Sequence, residues 1–291
     1  QRIKFIFYIN VYSIMPRKST KIPIQRDKKK KDYRIYPVRK KEEFVKIDKD
    51  LPPNLDSLLN KNGGVLALFA PPGSGKSNFI SGLLLSDDLL KDVFLGGLYV
   101  ISPTIKNCLT SHFLREYADL IETQYSDALV EALFNNLMET DDDDKELSCL
   151  VLDDCLGSLK QNSFMLRWAS TVRHLRNLLI ISTQAVKSVP ATLRSNISAT
   201  VTFYQPSSKQ LNDVIELHSL LGGEENFKAC YDEAVSEKYQ FLWSDFRDMK
   251  VYKWGGQLSD PVLLWSMYGE DGKRSKGNLI NKPDLIQEEE C

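Results

Sequence analysis

Short runs of apolar residues recur along the chain, each long enough for one β-strand and too short for a typical helix. They fall at residues 63–69, 97–103, 147–153, 177–183 and 199–204. The first, Gly-Gly-Val-Leu-Ala-Leu-Phe, is bounded by glycine and reads as a buried strand. Helical segments lie between the runs: residues 78–85 open one and 127–139 form another. Strands alternating with helices predict a mainly parallel sheet wrapped by right-handed crossovers. Ligands of such sheets sit beyond the carboxyl ends of the strands, so the residues at the strand tips bear on chemistry first.

The tip of the first run reads Ala70-Pro-Pro-Gly-Ser-Gly-Lys-Ser77, a phosphate-binding loop between a strand and a helix. A triphosphate is held by backbone N–H groups in a concave loop and by the positive end of the following helix. Pro72, Gly73, Ser74, Gly75, Lys76, Ser77 and Asn78 are the residues expected to surround it. Glycines let the backbone approach, Lys76 supplies a mobile charge for the β/γ oxygens, and the Ser77 hydroxyl can ligate Mg²⁺. The first position of the motif is Ala70 where glycine is usual, which is tolerable only with a negative φ there. The expected ligands are therefore ATP and Mg²⁺.

The run at 147–153 ends in two adjacent carboxylates, Asp153 and Asp154. Asp153 at the strand tip is expected in the Mg²⁺ shell, and Asp154 as general base toward water. A solvated pair of strand-end aspartates is the plain alternative. The run at 97–103 falls between the loop and this acidic strand in the chain. An extra strand between those two marks the branch of NTPases that holds RecA-like and AAA motors. Gln184, at the tip of the run at 177–183, is placed to sense the γ-phosphate or position water. Arg194 precedes the next strand and can act on a neighbouring subunit's nucleotide, or serve as a surface arginine. Arg173 and Arg176 compete for the same role.

Composition adds a second feature. The 291 residues allow one large domain or two small ones, and 42% hydrophobic content supports a substantial core. Net charge is −1, yet residues 1–50 hold 16 Lys/Arg against 6 Asp/Glu while the remainder holds 22 against 33. Such a basic arm suits DNA phosphates, a nuclear-targeting receptor, or no partner at all. It has few apolar residues and is expected to be disordered when free. The apolar stretch at 3–14 is too short to span a bilayer. The chain opens on Gln1, and Met15 is read as the start of the more protein-like sequence, with 1–14 an upstream fragment. Five cysteines without metal spacing suit a reducing compartment, and Cys149 and Cys155 read as small core residues. The acidic run at 141–144 is an exposed loop, because adjacent like charges repel.

Together, the loop at 70–77, the strand ending in Asp153-Asp154, the strand before Gln184 and the Arg194-Ser-Asn196 segment resemble the FtsK/HerA superfamily. The likeness is to genome-packaging ATPases of large double-stranded DNA viruses and virophages, and spans about residues 50–255. Residues 239–243 and 249–254 look like the terminal β-hairpin of that group. The resemblance implies a P-loop NTPase of the RecA/ASCE type: an α/β three-layer sandwich around a mainly parallel sheet, with a C-terminal β-hairpin. The implied organisation is a basic arm (1–50), an ATPase domain (51–255) and a C-terminal extension (256–291). It further implies a homo-oligomeric ring, usually a hexamer, that hydrolyses ATP to thread double-stranded DNA into a viral capsid. By the same resemblance Asp153 binds Mg²⁺, Asp154 stands where many relatives carry glutamate, and Gln184 is the sensor. Work of that kind is expected in the host cytoplasm, nucleus or viral factory, with the virion as a further location, and no membrane is implied. Loops at 104–107 and 157–162, bearing Lys106 and Lys160, are candidates to face a central channel. A small-molecule kinase, with Arg167, Arg173 and Arg176 as a lid, and a nucleotide-dependent interaction switch are the competing functions.

Overall fold

The computed structural model describes residues 47, 49–107, 112–141, 144–155, 163–269 and 273–274. Residues 1–46 and 48 of the basic arm, the loop at 157–162 and most of the C-terminal extension thus lie outside the described residues. In chain order the first half comprises α1 (Pro53–Leu59), β1 (Gly63–Phe69), α2 (Lys76–Leu85), β2 (Leu98–Ile101), α3 (His112–Tyr117), β3 (Leu120–Glu122), α4 (Asp127–Glu139) and β4 (Ser148–Asp153). The second half comprises α5 (Phe164–Thr171), β5 (Asn177–Thr183), α6 (Ala191–Arg194), β6 (Ala199–Phe203), α7 (Ser208–His218), α8 (Glu224–Ala234), β7 (Gln240–Asp245), β8 (Lys250–Gly255) and β9 (Val262–Ser266).

Every residue of β1 is buried. Successive side chains of a strand point to opposite faces, so β1 feeds two cores. Val65, Ala67 and Phe69 join one cluster with Phe134 of α4, Trp168 of α5 and Phe227 of α8. Leu66 and Leu68 join the other, with Leu55 of α1 and Leu83 of α2. A strand covered on both faces needs apolar residues at every position, which is why these segments read as unbroken runs. The result is helix, sheet, helix: the three-layer sandwich expected from the sequence.

The sheet has nine strands in the order β3-β2-β4-β5-β1-β6-β7-β8-β9. Pairing is parallel from β3 through β6 and antiparallel from β6 to β9. The strand standing between β1 and β4 is β5, so β5 is the inserted strand of the sheet. This corrects the expectation for the run at 97–103. That run forms β2, intermediate in the chain but on the far side of β4. A sheet inserts strands by crossover, so order in sequence does not give order in space. The C-terminal hairpin is present as β7 and β8, with Trp243 opposite Tyr252. A third antiparallel strand, β9, extends it beyond the boundary at 255.

Buried polar groups pin the amino ends of the central strands. The Asn177 amide donates to Ser148 Oγ at 2.9 Å and accepts from Trp168 Nε1 at 3.0 Å, tying β5, β4 and α5 together. Arg247, in the β7–β8 turn, donates to the carbonyls of Leu58 and Gly63 at the same edge. The strand-tip residues singled out in the sequence lie at the opposite, carboxyl edge.

Candidate active site

Register places the strand tips side by side: Phe69 pairs with Thr183, and Asp153 with Ser182. The chain leaves β1 at Ala70, whose N–H donates to Thr183 O at 3.0 Å. Ala70 is fully buried and has no positive φ, so its methyl is accommodated as the motif requires. Gly73 and Gly75 have φ of 77° and 99°, a region L-residues avoid, and Gly75 precedes the first residue of α2. No side chain caps α2. The first-turn N–H groups of Lys76, Ser77 and Asn78 therefore face the concavity without helical partners, the arrangement that accepts phosphate oxygens.

Lys76 reaches from α2 to the two aspartates at the end of β4. Its ammonium bonds Asp154 and lies 3.6 Å from Asp153 Oδ1. Asp153 is buried, and Ser102 at the end of β2 donates to its Oδ2 at 3.0 Å. Its other oxygen, Oδ1, has no hydrogen-bond partner. Ser77 and Asp153 line one cavity of about 10 Å³, roughly the space of a single water. A hydroxyl and a sealed carboxylate oxygen whose one charge partner is the Lys76 ammonium share this space, a donor pair of the hard oxygen type that fits Mg²⁺. Asp154 has φ of +51°, and its N–H donates to Ser182 O at 3.1 Å. Left-handed backbone at a non-glycine residue is strained and clusters at functional sites. Here it turns Asp154 off the strand's alternation, toward Lys76. Cys155, next along, is buried, and its thiol is pushed up to about 12 chiefly by desolvation. It is no nucleophile at neutral pH.

Gln184 follows β5 directly and is exposed at the same edge as the loop. Arg194 lies at the end of α6, with its guanidinium 3.5 Å from Val186 O. Arg173 and Arg176 precede β5, so they sit at the opposite edge of the sheet, about 20 Å away at ordinary strand rise. Arg167 stacks on Phe134 and Phe164 of the helical layer. These three arginines form no lid over the loop. Residues 104–107 lie beyond β2 at the loop's edge of the sheet, with Lys106 exposed.

Three contributors escaped the sequence reading of the site. Ser102 orients Asp153; the visible signal was a polar residue at the tip of an apolar run. Gln205, just beyond β6, donates through Nε2 to the carbonyls of Phe69 and Phe203 at 3.0 and 3.2 Å. Its N–H donates to the Tyr231 hydroxyl of α8 at 2.6 Å, so it fixes the root of the loop. Nothing local in the sequence marks it. Tyr239, before β7, is half exposed with φ of +67° and packs against Gly75.

A glycine loop between β1 and α2, a lysine on a strand-tip aspartate, and one strand inserted between their strands settle the class. The fold is that of a P-loop NTPase. No known family profile matches the chain. It is 24% identical over 231 residues to the uncharacterized protein 075L of Invertebrate iridescent virus 6, covering 77% of this chain and 85% of that one. Among solved structures it is similar to the genome packaging NTPase B204 of Sulfolobus turreted icosahedral virus 2 in complex with AMPPCP. That match has 17% identity and a TM-score of 0.48, over 66% of this chain and 96% of the other. It is also similar to the pCW3 conjugation coupling protein TcpA with ATPγS, at 13% identity and a TM-score of 0.45, over 70% of this chain and 60% of that one. Among the described residues, no helix is long and apolar enough to cross a membrane.

Proposed function

We propose that the chain is an ATP-hydrolysing motor that moves along double-stranded DNA and packages it into a viral capsid, working as a homo-oligomeric ring. The observation that carries the hydrolytic part is the meeting of Lys76 with both Asp153 and Asp154 beside the phosphate loop. The motor part is supported by the FtsK/HerA-like set of strand-tip residues and by the basic arm on an acidic body. The placement of Arg167, Arg173 and Arg176 away from the loop argues against a kinase lid.

In this reading the loop amides and Lys76 hold the triphosphate, and the helix start offsets its charge. Ser77 and Asp153 would hold Mg²⁺, which would supply positive charge against that developing on the phosphate. Lys76 moves from Asp154 to the β/γ oxygens, and Asp154 is freed to accept a proton from water. Gln184 orients that water from the neighbouring strand tip. Arg194 acts across a subunit boundary. A trans arginine makes firing depend on seated neighbours, and a shift of subunit populations then passes to the DNA.

The test is ATP turnover with and without duplex DNA, over a salt series, beside electron microscopy of the protein with duplex and an ATP analogue. Turnover stimulated by duplex of any sequence, weakening steeply with salt, and a ring with DNA in its hole are expected. An oligomer whose turnover ignores DNA defeats the motor reading.

A further inference from the structure

A triphosphate bound at this loop must place its nucleoside somewhere, and the sheet order restricts the choice. Lys76, Asp153 and Asp154 fix the terminal phosphate on the β4 and β5 side of β1. The α-phosphate then falls at the last loop amides, Ser77 and Asn78, and the nucleoside continues toward β6 and β7. A cleft of about 650 Å³ opens there between α2 and the β7–β8 hairpin, within the usual range for a small-molecule site. Asn78 stands at its phosphate end, and Phe79, Phe241 and Trp254 line its interior. Phe79 and Phe241 meet edge to face at 5.0 Å, a favourable aromatic pairing within the wall. A smaller cleft of about 400 Å³ lies on the other side of Tyr239, along Pro71, Pro72 and Gly73. It does not reach Asn78.

Tyr239 separates the two clefts and lines both. It is 51% exposed and holds a left-handed φ of +67°, a conformation that costs an aromatic residue energy. Strained backbone of this kind clusters at functional sites, ligand clamps among them, and here it holds a half-exposed ring beside the phosphate loop. Its contact with the loop is close: a Cβ built on Gly75 would lie 3.3 Å from Tyr239 Cδ1. Ser74, on the loop beside it, has a sealed hydroxyl without a partner.

Resting on the nucleotide-site reading above, we propose that the cleft between α2 and the β7–β8 hairpin takes the base and ribose, with Tyr239 as the aromatic clamp on the base. The aromatic wall favours a purine, which offers more stacking face than a pyrimidine. The experiment compares full-length protein binding ATP and inorganic tripolyphosphate, both with Mg²⁺, by calorimetry. Tyr239→Asn removes the ring while tolerating the left-handed backbone; Tyr239→Phe keeps the ring. Gly82→Leu fills the cleft from α2, where an added Cβ meets nothing within 4 Å. Tyr239→Asn and Gly82→Leu are each expected to weaken ATP about tenfold, the scale of a lost base–aromatic stack, and leave tripolyphosphate unchanged. Tyr239→Phe is expected to stay within about twofold of the parent, since stacking needs only the ring. Unchanged ATP affinity in Tyr239→Asn, or parallel loss of both ligands, overturns the proposal; if that variant does not fold, Gly82→Leu decides by the same criterion. A parent protein that binds neither ligand overturns the phosphate-loop reading itself.

Discussion

The ammonium of Lys76 is bonded to Asp154, a residue 78 positions further along the chain, and shares its charge with Asp153 at 3.6 Å. One mobile cation thus bridges the two carboxylates to which the proposed function gives metal and water. Both contacts must loosen when a triphosphate competes for the lysine. That exchange links binding to the release of Asp154, and it yields a first prediction.

Asp154→Asn keeps the side-chain shape and tolerates φ of +51°, so the fold should be unchanged. Turnover should fall by about 10²–10⁴, the usual worth of a positioned general base. ATP should bind as well as before, or more tightly, because Lys76 no longer has to leave a carboxylate. Phosphate release and calorimetry read the two effects separately. Undiminished hydrolysis would remove Asp154 from the mechanism.

If Lys76 reads the β/γ oxygens as proposed, Lys76→Ala removes a charge-assisted contact worth about 1.5–3 kcal/mol. ATP affinity should drop by roughly 10- to 100-fold. Tripolyphosphate should suffer as much, because the lysine reads phosphate and not base. An unaltered dissociation constant for either ligand would show that the loop is misread.

Arg194→Ala should leave ATP binding intact and suppress turnover, since the residue stands at the end of α6 with its guanidinium toward the Val186 carbonyl. Mixed with parent subunits, the variant should lower activity more than in proportion to its share. Strictly proportional loss across a titration of mixing ratios would place Arg194 outside any subunit boundary.

His218 gives a stability prediction. It is fully buried, accepts from the Thr200 hydroxyl at 2.6 Å, donates to Val214 O at 2.6 Å, and stacks on Phe227. Burial pushes its pKa down from 6.5 to about 4. The unfolded chain therefore binds a proton that the folded chain refuses between those values. Stability is full above about pH 6.5 and declines as pH falls toward 4, by roughly 3 kcal/mol from this group. Urea unfolding at pH 7.5 and pH 5 measures the slope. His218→Gln should flatten it, and an unchanged slope would assign the acid sensitivity to other groups.

What the sequence revealed and what it withheld divide along physical lines. Strands β1, β4 and β5 were legible because a strand buried on both faces must be apolar throughout. The loop from Ala70 to Ser77 was legible because close phosphate approach restricts residue types over consecutive positions. The insertion of β5 beside β1 was not, since no local preference encodes which crossover passes which. Strand β9 was missed for a related reason: it earns its place by pairing with β8, and its own apolar pattern is ordinary. Gln205 illustrates the extreme case. Its role depends on backbone carbonyls of two strands and a tyrosine on a distant helix, none of which leaves a mark at the position itself.

That junction has a consequence for genetics. Because one side chain fastens the base of the nucleotide loop to the two strand ends while its own backbone hangs on Tyr231, lesions in α8 will masquerade as active-site defects. A screen for lost ATP affinity should therefore recover hits on the opposite layer of the molecule. Suppressors of those hits belong at the strand ends, not among the residues that touch phosphate.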